Sequence, residues 1–400
     1  MKKLFIINNN FSAAAHYGIK TFINELLHSL NGYGYHIFVV EMCSACHTIT
    51  ELKKDIHLTY LQIPIIANYT KHNDVYCRNV AYILSTYVEE GDEVAFHFNY
   101  LHHHELAQTL RKLYPKSRQI LTIHYLNWIF DLDGNVNEFR RIVEERIIHD
   151  KDEQAIYDEY LNDKDFFHSV DKVVVLCKDT WNILTDMYHL PVDKVKLIYN
   201  GMKDRYTAIS EEEKSLIREK YGFKETDQLI LYVGRLDKLK GISYMIEAIK
   251  LILKSNESAH LLLVGDGNDR LFKEETLGYW KQIHFIGRLE RDEVFELYKI
   301  ANWGVLLSFY EQCSYVAIEM MMFGLPFIAL IFQGGLKDMF ISNGLIKMGV
   351  MDVDNAFLKE KVELTLQNTK ELSRCFRDGY LCGFSDTNLS AYIRIYNSVC

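Results

Sequence analysis

Short apolar runs alternate with helical stretches along almost the whole chain, and this rhythm constrains the fold more than any other feature. KLFIIN (3–8), HIFVVEM (36–42), LTYLQIP (58–64), EVAFHF (93–98), QILTIH (119–124), KVVVLC (172–177) and KVKLIYN (194–200) read as strands. Helical spacing fills the gaps at 17–31, 74–89, 102–113 and 178–188. The rhythm resumes with LILYVG (229–234), HLLLVG (260–265), IHFIG (283–287), WGVLLS (303–308) and PFIALI (326–331). Helices are expected near 241–254, 290–300 and 314–323. Strands separated by helices form parallel sheets through crossover connections. Strands apolar on both faces are those that helices cover on both sides. The fold class is therefore α/β.

Four hundred residues exceed what one core serves, so two domains are expected. The boundary falls just after Asn200 and Gly201, where 202–228 turns polar and carries only a short helical segment. Another segment stands apart: 126–168 is long, charged and Tyr-rich. It reads as one or two inserted helices, either a solvated excursion or part of an acceptor-binding wall. The tail 384–396 reads as a helix capped by Ser385 or Asp386.

A net charge of −9 argues against a nucleic-acid partner, because phosphate backbones need a basic surface. No apolar run approaches the ~20 residues that span a bilayer. The opening MKKLFIINNN breaks into asparagines too soon for a signal peptide, so the chain is expected to be cytoplasmic. Peripheral membrane contact stays open. Cys43 and Cys46 form a C-x-x-C without the second pair that a zinc site needs, so reduced, unliganded thiols are expected.

Ligands of open parallel sheets bind beyond the carboxyl ends of the strands. After 229–233 comes G-R-L-D-K-L-K-G, in which Gly234 permits a tight turn and Arg235 and Lys240 flank the start of the next helix. Two cations beside a helix N-terminus suit a diphosphate. After 303–308 comes F-Y-E-Q-C-S-Y-V-A-I-E-M. A helix starting near Ser314 offers the amides of Cys313, Ser314, Tyr315 and Val316 to a second face of the diphosphate. Glu319, more than a turn inside, suits paired hydroxyls of a ribose, and Glu311 faces the sugar beyond. The bland alternative is ordinary surface charge.

In the first half, His97 and His124 each close an apolar strand as candidate sugar contacts. Adjacent helical residues point in different directions, so His102, His103, His104 and Glu105 are expected to be surface residues rather than metal ligands. Asp131–Asp133 and Asp352–Asp354 are D-x-D triplets, but neither follows a convincing strand and both are discounted.

The second half resembles the group 1 retaining glycosyltransferases through V-G-R-L-D-K-L-K-G, L-L-V-G-D-G, H-F-I-G-R-L, the two glutamates Glu311 and Glu319 eight positions apart, and F-G-L-P. Upstream, K-L-I-Y-N-G-M (196–202) resembles that family's hinge. The resemblance is specific over 196–332 and looser over 1–195. It implies a GT-B fold, in which two Rossmann-like domains face each other across a cleft. Residues 1–201 would be the acceptor side, 202–377 the nucleotide-sugar side, and 378–400 a helix returning to the first domain. It implies sugar transfer from a nucleotide diphosphate sugar, UDP ahead of GDP, with no cofactor and no essential metal. Arg235 and Lys240 would neutralise the leaving diphosphate, Glu311 would bind the donor sugar and Glu319 the ribose. Gly287, Arg288 and Leu289 would hold the base, and His124 would lie beside the reacting sugar. The family usually has two or three glycines in the loop after the first strand; here only Gly18 remains, expected at the helix start.

Retention also follows from elimination. The first-half strand ends offer His97 and His124 but no well-placed Asp or Glu as a base for inversion; His124 is better explained as a contact to the sugar, and Glu311 is assigned to hydroxyls rather than nucleophilic attack. The acceptor is open among glycan, lipid, peptide and small molecule. Competing readings are a GT-B sugar-nucleotide epimerase, a phosphorylase (which would need a much longer chain), and a catalytically weak nucleotide-sugar-binding partner of another transferase.

Overall fold

The computed structural model describes residues 1–10, 13–67, 69–331, 333–342, 349–350, 369–385 and 388–397. The chain divides into two compact units, Met1–Tyr199 with Thr387–Cys400, and Asn200–Asp386.

Unit 1 is built on β1 (Lys2–Asn9), β2 (Tyr35–Ser44), β3 (Thr50–Lys53), β4 (Leu58–Pro64), β5 (Glu93–Phe98), β6 (Arg118–Ile123), β7 (Lys172–Val175) and β8 (Val195–Leu197). Their order is β3-β4-β2-β1-β5-β6-β7-β8. All neighbours are parallel except β3, which runs antiparallel to β4. Leu4, Phe5, Ile6 and Ile7 of β1 are all fully buried, as a central strand covered on both faces requires. β3 escaped the sequence reading because Thr-Glu-Leu-Lys is exposed throughout and carries no apolar pattern.

Unit 2 holds β9 (Gln228–Val233), β10 (Ala259–Val264), β11 (Ile283–Gly287), β12 (Trp303–Leu306), β13 (Phe327–Leu330) and β14 (Gly349–Val350), all parallel. Their order, β11-β10-β9-β12-β13-β14, is that of a doubly wound Rossmann sheet. Apart from its β3 edge, unit 1 follows the same winding. In each unit the direction of winding reverses beside the first strand, between β1 and β5 and between β9 and β12. Open sheets with this winding bind their ligands at that switch point.

Three local expectations change. The segment 126–168 forms three helices, Trp128–Asp131, Val136–Val143 and Lys151–Ser169. The terminal helix begins only at Ala391 and runs to Asn397; Ser385 instead bridges to Met202, and Asp386 lies outside the described residues. The sequence from 378 is split: Thr369–Gly383 is a helix of unit 2, while Ala391–Asn397 belongs to unit 1. Unit 2 starts at Asn200 because its first residues are tied there. Met202 N–H donates to Phe384 O at 3.0 Å, and Tyr380 Oη donates to Met202 O at 2.9 Å. In unit 1, Tyr392 and Tyr396 of the terminal helix are buried against the sheet, and Asn397 Oδ1 accepts from Lys2 Nζ and Tyr35 Oη at 2.9 and 2.8 Å.

Candidate active site

In unit 2 the loops after β9, β10 and β12 are packed backbone against backbone, and glycine makes that possible. Gly234 has φ +149° and Gly265 φ +142°; a Cβ on Gly265 would stand 1.9 Å from Gly234 O. Gly241, at φ +65°, ends the 3-10 turn Lys238–Lys240 so close to β12 that a Cβ would stand 2.2 Å from Leu307 O. Asp237 Oδ1 accepts from Lys240 N–H at 3.1 Å, which fixes the turn carrying Lys240. Arg235 Nη1 pairs with Asp237 Oδ2 at 3.1 Å, so this cation shares its charge with its own loop.

The loop after β12 carries Glu311, whose carboxylate pairs with Lys240 Nζ. The two residues assigned from sequence to the diphosphate and to the sugar thus stand together, at the switch point. Gly334 and Gly335 clamp the loop from outside: Gly335 N–H donates to Glu311 O at 2.6 Å, and a Cβ there would stand 1.8 Å from Gln312 O. The helix Tyr315–Met322 follows, with Ser314 as N-cap accepting from Ala317 N–H at 3.3 Å. Cys313, Ser314, Tyr315 and Val316 therefore form its leading edge, at the positive end of the helix dipole. Asn200 Nδ2 donates to Cys313 O at 2.8 Å and steadies the loop.

Glu319 is the fifth residue of that helix and only 8 % exposed. Tyr298 Oη donates to its Oε2 at 2.9 Å, and Arg291 Nη2 lies 3.3 Å from its Oε1. Burial first, and then the Glu319 charge, push the Tyr298 hydroxyl pKa well up, so it stays a donor. Gly287 closes β11 at φ +79° with open space around its Cα; Arg288 is exposed and Leu289 half-buried beside it.

The strand ends of unit 1 are neutral instead. His124 follows β6, half-buried, with Nε2 3.0 Å from Asn99 Oδ1 and its ring edge-on to Phe22. Burial pushes its pKa down to about 3. His97 is a core residue. Its Nδ1 meets Tyr396 Oη and its Nε2 meets Thr122 Oγ1, both at 2.7 Å, and burial lowers its pKa to about 3. Of the histidine run, His103 is fully buried against Asn9 Oδ1 at 3.0 Å, contrary to the expectation of a surface residue. The chain enters the helix His104–Leu113 through a 3-10 turn, which turns His103 inward. Gly18 sits at the sixth position of the helix Ala13–Leu30, exposed and with nothing within 4 Å of a Cβ; it is inside the helix, not at its start. Asp131 ends a four-residue helix, and Asp352–Asp354 lie outside the described residues.

Residues 213–380 match the family described as glycosyl transferases group 1. That matched segment is a group 1 glycosyltransferase segment, and it lies wholly within unit 2. An uncharacterised glycosyltransferase of Methanocaldococcus jannaschii is 30% identical over 230 residues, which are 54% of this chain and 58% of that protein. The chain thus spans little more than half of that relative's length. Sucrose-phosphate synthase from Thermosynechococcus elongatus superposes with a TM-score of 0.74 at 18% identity, over 98% of this chain and 97% of that one. HepE of Anabaena, solved in complex with UDP and glucose, superposes with a TM-score of 0.71 at 14% identity, over 97% of each chain. These likenesses establish the GT-B fold.

The sequence reading missed Tyr298 and Arg291, which hold Glu319. Both lie on the amphipathic helix Arg291–Ile300, and nothing in their spacing separates them from packing residues. Asn99 was missed as well; its signal was the strand end before it, the same one that drew attention to His97.

Proposed function

We propose that this protein moves a sugar, with retention and without an essential metal, from a nucleoside diphosphate sugar to a hydroxyl acceptor. The observation that carries the reading is the Lys240–Glu311 pair at the β9/β12 switch point, beside Arg235 and the leading edge of the Ser314-capped helix. Cations, helix amides and a carboxylate meet there in the combination that a sugar diphosphate needs. On binding, Lys240 exchanges its carboxylate for phosphate oxygen while Glu311 turns to the sugar hydroxyls. Arg235 leaves Asp237 in the same way. Glu319 accepts from the ribose hydroxyls, and Gly287–Leu289 flank the base. UDP is the favoured nucleotide, as in the HepE complex.

As the anomeric carbon–phosphate bond breaks, Arg235, Lys240 and the helix amides hold the growing negative charge. The acceptor oxygen bonds to the anomeric carbon on the same face, and the departing phosphate oxygen takes its proton. Burial lowers the His124 pKa, which disfavours this imidazole as the base of the inverting alternative. We extend the proposal to a cytoplasmic setting, in keeping with the unpaired Cys43 and Cys46. The test is incubation with UDP- and GDP-sugars and candidate acceptors, followed by proton NMR of the first-formed product. A product that keeps the donor's anomeric configuration supports the reading. An inverted linkage overturns the same-face route, and no turnover with any donor overturns the activity.

A further inference from the structure

Three strands meet in a chain of polar contacts at the unit 1 switch point. Asn99, just past β5, is 1 % exposed, and its Nδ2 donates to Ile7 O of β1 at 3.1 Å. Its Oδ1 lies 3.0 Å from His124 Nε2, just past β6. A backbone carbonyl only accepts, so Asn99 must turn its amino group to Ile7 and its oxygen to His124. The amide oxygen also only accepts, so Nε2 must carry the hydrogen. A neutral imidazole has one such hydrogen, which leaves Nδ1 with an open lone pair. Among the described residues nothing else bonds to His124, and the ring is only half-buried.

We infer that Asn99 is a positioning residue that locks His124 as the Nε2–H tautomer, so that Nδ1 is held ready to accept a hydrogen bond from a ligand hydroxyl at the unit 1 switch point. The identity of that ligand rests on the function proposed above; the tautomer lock does not. β1, β5 and β6 are adjacent strands, so the acceptor nitrogen is held by the sheet itself. His103 provides an internal comparison. Its Nε2 also faces an asparagine oxygen, that of Asn9, but its Nδ1 is sealed in the core without a partner among the described residues. The two imidazoles share an anchoring scheme, and only His124 keeps a route to a ligand.

The test is long-range proton–nitrogen NMR on the full chain labelled at histidine, with His124 assigned by the loss of its signals in His124→Gln. At neutral pH the wild type is expected to show Nε2 protonated and Nδ1 bare. Adding UDP-glucose or GDP-mannose is expected to move the His124 Nδ1 signal and leave that of His103 in place. In Asn99→Leu, checked for folding by its melting curve, the tautomer preference is lost and sugar transfer falls about three- to tenfold, as for one hydrogen bond. His124 protonated at Nδ1 in the wild type overturns the inference. So does an Nε2–H form that survives Asn99→Leu, or transfer that is unchanged when the tautomer is lost. The wild-type spectrum decides the lock even if Asn99→Leu does not fold. A wild type with the expected tautomer but no transfer from any nucleotide sugar leaves the lock standing and removes the proposed function.

Discussion

The two units share one winding and present opposite chemistry at their switch points. Unit 2 gathers charge: Arg235 with Asp237, Lys240 with Glu311, and Arg291 with Glu319. Its loops approach so closely that glycine is obligatory at several points. Unit 1 gathers neutral imidazoles and amides, namely His124 with Asn99 and His103 with Asn9, and its Gly18 has open space around it. The same topology thus supplies charged, closely packed loops in one unit and uncharged strand ends in the other.

The largest expected contrast is with pH. The folded pKa values of His97, His103 and His124 are about 3, below the ~6.5 of an unfolded imidazole. Below pH 6.5 the unfolded chain takes up protons that the fold refuses, so stability falls as pH drops from 6.5 toward 3. For the fully buried His97 and His103 the loss between pH 6.5 and 5 is up to roughly 2 kcal/mol each. In unit 2, His260 and His284 are also shifted down, chiefly by burial, but each is only half-buried. Hydrogen exchange at pH 5 should therefore open the strands of unit 1 before those of unit 2. The reverse order would break the comparison.

Glycine substitutions sharpen it next. Gly265→Ala forces a side chain to φ +142° and into Gly234 O, and should cost roughly 2–5 kcal/mol as strain and overpacking combined. Gly18→Ala lies in open space within a helix and should stabilise by about 0.5–1 kcal/mol. Thermal melts of the two variants should move in opposite directions, and shifts of the same sign would count against the packing account.

Catalysis gives a third contrast. Arg235→Ala is expected to lower turnover about 10²-fold or more with a smaller effect on donor binding, because the charge it meets grows in the transition state. An Arg235→Ala, Lys240→Ala variant with near wild-type kcat would remove both from the diphosphate.

The smallest effect concerns Glu319. Tyr298→Phe removes one donor to a carboxylate that keeps Arg291 and should weaken nucleoside diphosphate binding by no more than about 1.5 kcal/mol. Glu319→Gln should cost more, about 1.5–3 kcal/mol, if the carboxylate binds ribose. Calorimetry that finds Glu319→Gln unaffected would reduce Glu319 to a local anchor for Tyr298 and Arg291.

How far the sequence was legible follows from the same physics. Strands covered on both faces are runs of apolar residues, so β1, β5, β9 and β10 announced themselves within a residue or so. The exposed β3 had no such signature, and neither did the turn that buries His103. That burial depends on Asn9, 94 positions away. Arg235, Lys240, Glu311 and Glu319 stood out as candidates because each lies just beyond an apolar strand or in the helix that follows, and the structure pairs Lys240 with Glu311. Their partners were only partly so. Asp237 is on the same loop as Arg235, but Tyr298 and Arg291 reach Glu319 only through the packing of one helix on another. Asn99 needed the register of three strands to acquire a role.

The central claim is that the charged switch point of unit 2 receives a nucleoside diphosphate, and hydrogen exchange with and without saturating UDP, repeated with GDP, tests it most directly. The account predicts added protection at 234–241, 287–289 and 311–319, with the strongest change at the helix start after Ser314. Binding without protection at those segments, or protection confined to unit 1, would contradict it.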